Sequence, residues 1–141
     1  CRVVAGYAWE WKTKSDDSID YDIEIDGLKL KWNSMTQDWV NSENSINEVG
    51  CIHTIQGYDL NYTGVIIGPE FGYDLDKKKF FVDREKYKDT AGYIGIENEE
   101  ELFEYIKNIY KTLLTRVIKG TYVYMSDEGL RLLLKKYISY N

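Results

Sequence analysis

Hydrophobic and polar positions change period several times along the chain, and each change marks an element. Residues 21–32, YDIEIDGLKLKW, alternate strictly: Tyr21, Ile23 and Ile25 before Asp26-Gly27 are mirrored by Leu28, Leu30 and Trp32 after it. A period of two places one set of side chains on one face, and Asp-Gly suits the two positive-φ positions of a type I′ turn, so the stretch predicts a β-hairpin. RVVAGYAW (2–9) and TGVIIGPEF (63–71) are continuous apolar runs, the pattern of buried strands. The single proline, Pro69, ends the second run. GCIHTI (50–55) reads as another strand, 35–49 as a mixed segment with a short helix, and DLDKKKFFVDRE (74–85) as a second, more exposed hairpin.

The period then becomes helical. Asn98 followed by Glu101 has the form of a capping box, and Leu102, Ile106, Ile109, Leu113 and Val117 recur on one face behind it. The pattern predicts a helix to about Ile118 that stops at Gly120. TYVYMS (121–126) is then a strand and DEGLRLLLKKYISY (127–140) a closing helix. Strands and helices in this order, decorated by hairpins, imply an α/β domain with a mostly parallel sheet.

Composition narrows the class. The 141 residues, 43% hydrophobic and 30% charged, suit one globular domain spanning 1–141. A net charge of −6 argues against nucleic-acid binding by bulk positive potential and leaves room for a local basic strip. Cys1 and Cys51 make neither a disulfide framework nor a zinc pattern. No signal peptide or long apolar run occurs, so a cytoplasmic location without a membrane partner is expected. The chain opens inside a strand without Met, which points to a piece cut from a longer protein.

Candidate chemistry lies in GCIHTIQGYDLNYTGVIIG, which carries the only histidine, His53, with Thr54, Gln56 and Gly57. Ligands of open α/β sheets sit beyond the carboxyl ends of the strands, where this loop is expected. Arg116, one of four arginines, closes the long helix in LLTRVIKGTYVYM and is expected near the same edge, suited to bidentate grip on phosphate oxygens. Cys51 and His53 alternate onto one strand face, but a buried strand cysteine is the commoner arrangement. Glu70, Asp74 and Asp76 with Lys78 faintly echo metal-dependent nucleases, at a spacing that suits a solvated hairpin turn better. Lys77, Lys78 and Lys79 read as a phosphate-contacting patch or as a charged edge. Among the aromatics, Tyr7 and Trp9 are the best placed to stack on bases.

Two of these segments resemble motifs of superfamily one helicases. CIHTIQGYDLNYTGVIIGPEFG is similar to motif V, a strand leading into a Thr-x-His-Ser-x-(Lys or Gln)-Gly-x-(Glu or Asp) loop. LLTRVIKGTYVYM is similar to motif VI, and RVVAGYAWEW to the strand of motif IV. More narrowly, AGYAWEW, HTIQGYDLNYTGVIIGPE and TYVYMSDEGLR resemble Schlafen group 3-like DNA/RNA helicases among uncharacterised bacterial proteins. The likeness covers nearly the whole chain.

The resemblance implies the second, C-terminal RecA-like domain of a helicase or translocase, with flanking helices. It implies ATP and Mg2+ held mainly by an N-terminal RecA-like domain that carries the phosphate loop; no G-x-x-x-x-G-K-[ST] occurs here. Arg116 becomes the arginine finger. Gln56, Gly57, Asp59 and Lys119 become nucleotide contacts. His53, Thr54, Tyr7 and Trp9 face single-stranded DNA or RNA. Without its partner domain the chain is expected to be inactive. Cys51 replaces a common threonine, and Ala8 stands where a motif IV arginine often lies. These departures keep a second reading open, a degenerate module that binds nucleic acid or protein without turnover.

Overall fold

The computed structural model describes residues 1–138. Eight strands form: β1 (Arg2–Ala5), β2 (Ile23–Ile25), β3 (Leu28–Trp32), β4 (Glu48–Gly50), β5 (Leu60–Ile67), β6 (Phe71–Asp74), β7 (Lys79–Val82) and β8 (Val117–Met125). Two helices accompany them, α1 (Glu99–Thr115) and α2 (Glu128–Leu134). Six strands make one sheet in the order β2-β3-β4-β1-β5-β8, and β6-β7 is a separate hairpin. Every pair in the large sheet is parallel except β2–β3. The architecture is mixed α/β with a mostly parallel sheet, as the pattern predicts.

β1 is the centre. It pairs with β4 through Val3–Val49 and with β5 from Arg2–Thr63 to Ala5–Ile66. Alternation then sorts its side chains onto two faces. Val4 joins Val65 and Ile67 against Leu102, Ile106, Ile109 and Leu113 of α1 and Leu130 of α2. Ala5 joins Ile23, Trp32, Val49 and Ile66 in a smaller cluster without a helix residue. The sheet curls over that face: the Tyr124 hydroxyl on β8 donates to Asp26 Oδ2 in the β2–β3 turn at 3.0 Å, although β2 and β8 are at opposite ends of the strand order. Buried Asp22 fastens the 12–18 loop by accepting from Thr13 N (2.8 Å), Thr13 Oγ1 (2.7 Å) and Trp32 N (3.0 Å).

The first hairpin is as predicted, with φ of 49° at Asp26 and 82° at Gly27. Elsewhere boundaries move. The first strand stops at Ala5, well short of residue 9. The expected 50–55 strand ends at Gly50; Ile52–Thr54 is a tight 3-10 turn. Segment 35–49 holds two such turns, Trp39–Asn41 and Glu43–Ile46, ahead of β4. The 63–71 run divides into β5 and β6 at Gly68-Pro69-Glu70. Helix α1 ends at Thr115, so Val117, Ile118 and Gly120 belong to β8. Asn98 does cap α1, accepting from Glu100 N at 2.8 Å. The closing helix covers 128–134, and positions 139–140 of the expected helix lie outside the described residues.

One buried polar contact ties the sheet to α1. Glu70 is fully buried, and the Tyr110 hydroxyl donates to its Oε1. Gly68 N–H donates in turn to the Tyr110 oxygen at 2.9 Å. A Cβ on Gly6 would stand 2.3 Å from Tyr110 Oη, and one on Gly68 2.3 Å from Glu70 Oε2. Glycine at both positions is therefore a space requirement. Burial pushes the Glu70 pKa from 4.5 up to about 7, against the opposing hydrogen bond from Tyr110.

The native state thus holds this proton more tightly than the unfolded chain. The associated stability is complete below about pH 4.5 and is lost as pH rises to about 7. A shift of this size corresponds to on the order of 3 kcal/mol. Urea unfolding of wild type between pH 4.5 and 8 should show that decline relative to Glu70→Gln, which lacks the titration. Parallel pH profiles for the two proteins would refute the assignment.

Candidate functional site

Parallel pairing gives the sheet a carboxyl edge and an amino edge, and the candidate residues divide between them. The 51–59 segment leaves the carboxyl end of β4 and returns to the amino end of β5. Its beginning therefore belongs to one edge and its end to the other.

At the amino edge, Leu60 N–H donates to the Arg116 carbonyl at 3.1 Å, and Leu60 pairs with Val117. This tie sets Asp59 beside the turn between α1 and β8. Arg116 closes α1, and its backbone N–H returns to the Thr112 carbonyl at 3.2 Å. Between the Leu60–Val117 and Tyr62–Gly120 pairs, β5 has one residue and β8 has two. The extra residue is a bulge, which turns side chains out of register. Ile118 and Lys119 are accordingly both exposed, where a regular strand would alternate.

Gln56, Asp59 and Lys119 are exposed and Arg116 is half-buried. None of the four side chains has a hydrogen-bond or ion-pair partner among the described residues. Gly57 has φ of 86°, with nothing within 4 Å of a built Cβ. Arg116 and Lys119 thus offer two cations at the α1–β8 turn, and Gln56 and Gly57 offer an amide and an open turn in the loop that leads to Asp59; cations and amides are donor types that suit phosphate oxygens.

At the carboxyl edge the predicted aromatic residues assemble. Tyr7 follows β1, and its ring centre lies 6.3 Å from that of His53 and 5.3 Å from that of Trp32. Trp9 packs half-buried against the same cluster, and His53 is exposed. Burial, with a hydrogen bond to the Cys51 side chain, keeps the Tyr7 phenol well above its ordinary range, hence neutral. Thr54 faces inward: it is buried, and its hydroxyl donates to the Cys51 carbonyl at 2.9 Å.

Arg116 is therefore not at the carboxyl edge expected for it, because the helix ends before β8 begins. The chain reverses there onto the amino end of the sheet. The Cys51–His53 alternation also fails: the strand has ended, Cys51 is buried and His53 exposed. Glu70 is spent on Tyr110, while Asp74 Oδ1 accepts Asp76 N (3.0 Å) and Lys77 N (2.9 Å) in the second hairpin turn. Among the described residues, no three His, Cys, Asp or Glu side chains are grouped to hold a metal. Sequence reading missed the bulge and the Glu70–Tyr110 contact. Gly120 inside a β-branched run is the signal that points to the former.

The chain matches the model of the Schlafen group 3 DNA/RNA helicase domain over residues 1–127. It belongs to that family. A relative in Saccharomyces cerevisiae, the uncharacterized protein YPL245W, is 37% identical over 140 residues, covering 93% of this chain. The chain spans 30% of that relative's length. No solved structure matches the chain. No helix among the described residues is long and apolar enough to cross a membrane.

The turn at Gly57 is testable alone. Gly57→Ala meets no neighbour, so its cost is the left-handed backbone, roughly 1–2 kcal/mol. Gly64→Ala, whose Cβ would lie 3.6 Å from Val3 Cγ2, should cost less. Denaturant titration of both variants checks the order, and equal costs would contradict the positive φ at Gly57.

Proposed function

We propose that this Schlafen-family domain is the second, C-terminal RecA-like motor domain of an ATP-dependent DNA or RNA helicase or translocase. The observation that carries the reading is the Leu60–Arg116 tie, which joins the loop ending in Asp59 to the helix end bearing Arg116. Arg116 is the arginine finger, a permanent cation held at a helix end with its guanidinium unpaired among the described residues. Lys119 adds a second cation from the bulge. Gln56 and the open backbone at Gly57 orient phosphate oxygens, and Asp59 accepts from a ribose hydroxyl. ATP with Mg2+, held mainly by an N-terminal RecA-like domain of the complete protein, supplies the phosphoanhydride.

The single strand of DNA or RNA belongs on the opposite edge. Tyr7 and Trp9 offer ring faces for stacking, at roughly 1–3 kcal/mol per base. His53 presents its ring beside Tyr7, while Thr54 braces the turn that carries it. A nucleotide on one edge and a strand on the other let a cleft that closes and opens pull on the strand, through differential binding in the two states.

Ala8 favours a second reading. It is buried, and a Cβ on Gly68 would stand 2.4 Å from its own Cβ. No arginine fits where motif IV often supplies one. With a single phosphate-reading arginine, the domain is a degenerate module that binds nucleic acid or protein without turnover.

In the complete protein, Arg116→Ala should reduce ATP turnover by roughly 10³-fold or more and leave ATP binding nearly unchanged. Turnover that survives the substitution would overturn the finger assignment. A complete protein that binds nucleic acid but never hydrolyses ATP would establish the second reading.

A further inference from the structure

The β6–β7 hairpin has one closed edge and one open edge. On β6, Tyr73 N–H donates to Asp127 Oδ1 at 3.0 Å, and a Cβ on Gly129 would stand 1.9 Å from the Tyr73 carbonyl oxygen. The start of α2 therefore seals that side. Tyr73 N–H points away from β7, so Tyr73 and its partner Phe80 form a non-hydrogen-bonded pair. The same phase holds at Phe71–Val82, since Phe71 N–H bonds Gly68 O at 3.4 Å, outside the hairpin. The N–H and C=O groups of Phe80 and Val82 must then point outward from β7, where no strand among the described residues pairs with them.

They open onto a groove of about 1130 Å³ between β7 and the first turns of α1. Its apolar part on one face of β7 is Phe80, Val82 and Phe103, while Phe81 alternates to the other face, its ring over Gly72. Phe80 and Phe81 are each about two-fifths exposed, at 40% and 39%. Lysines line the groove on the hairpin side and glutamates on the helix side. Lys78, Lys79 and Glu100 have no ion-pair partner among the described residues. An open strand edge beside an apolar floor is the geometry of strand addition.

We propose that β7 is a docking edge for an extended peptide segment of another protein, which adds as a third strand to the β6–β7 hairpin. The two walls state its chemistry. Alternate apolar residues fill the aromatic floor, a carboxylate meets the lysines, and a cation meets Glu100. The glutamate wall disfavours a nucleic-acid strand, whose phosphates carry only negative charge. This site is independent of the helicase reading, since it uses neither sheet edge.

The test is NMR titration of the ¹⁵N-labelled protein with capped heptapeptides of alternating valine and threonine, with glutamate at one end and lysine at the other, in both orders. One order should shift the β7 amides and slow hydrogen exchange at Phe80 and Val82 at least tenfold. The same peptide N-methylated at alternate residues on its pairing edge should lose that effect. Lys78→Glu in the turn with Lys79→Glu at the first position of β7, both exposed and outside the core, should weaken binding at least threefold. The proposal fails if neither order binds at millimolar concentration or if N-methylation changes nothing. It also fails if Phe80 and Val82 exchange slowly without peptide, or if oligothymidylate protects them instead.

Discussion

Parallel pairing of β1 with β4 on one side and β5 on the other is the constraint on which the rest depends. A parallel neighbour cannot be reached by a two-residue turn, so each link must travel back from the carboxyl edge to the amino edge. Every crossover therefore delivers residues to both edges. The 51–59 segment makes that journey in nine residues, without an α-helix, and buries Ile52 and Ile55 under α1 as it goes. It leaves His53 near one edge and Asp59 at the other. The separation between an aromatic edge and a cationic edge is a consequence of topology before it is a matter of function.

The second consequence is lopsided cover. Both helices lie in the core cluster that contains Val4 and Val65. The opposite face relies on the curl of the sheet, on Trp32 and Trp11, and on the Tyr124–Asp26 bond. Large aromatics suit this task, because a few of them bury as much area as a short helix face would. The high tyrosine and tryptophan content thus has a structural role, and only Tyr7 and Trp9 are proposed to meet a ligand.

Much of this was legible in the sequence where a local rule decided the outcome. Asp26-Gly27 specified its turn through backbone geometry, and Leu102, Ile106, Ile109 and Leu113 specified the buried face of α1. The mixed α/β class and the parallel sheet followed from the order of elements. Boundaries set by tertiary context were not legible. Val117 continues the helical spacing of its predecessors, yet Leu60 recruits it into a strand. Ile52 and Ile55 look like strand residues because burial beneath a helix also calls for apolar side chains. Glu70 and Tyr110 are forty residues apart in sequence, and nothing local announces a carboxyl inside the core. The candidate residues themselves were visible as types. Their division between two edges was not, because it depends on where α1 ends.

The central claim is that the amino end of β5 is held against the turn carrying Arg116. Proton NMR tests it most directly, through contacts at Leu60 and the exchange of its amide. The account predicts that Leu60 shows nuclear Overhauser contacts to Arg116 and Val117 and that its amide exchanges slowly, as a strand amide does. A Leu60 amide that exchanges at the rate of an open loop, with no contact to either residue, would separate the two halves of the amino edge and contradict the account.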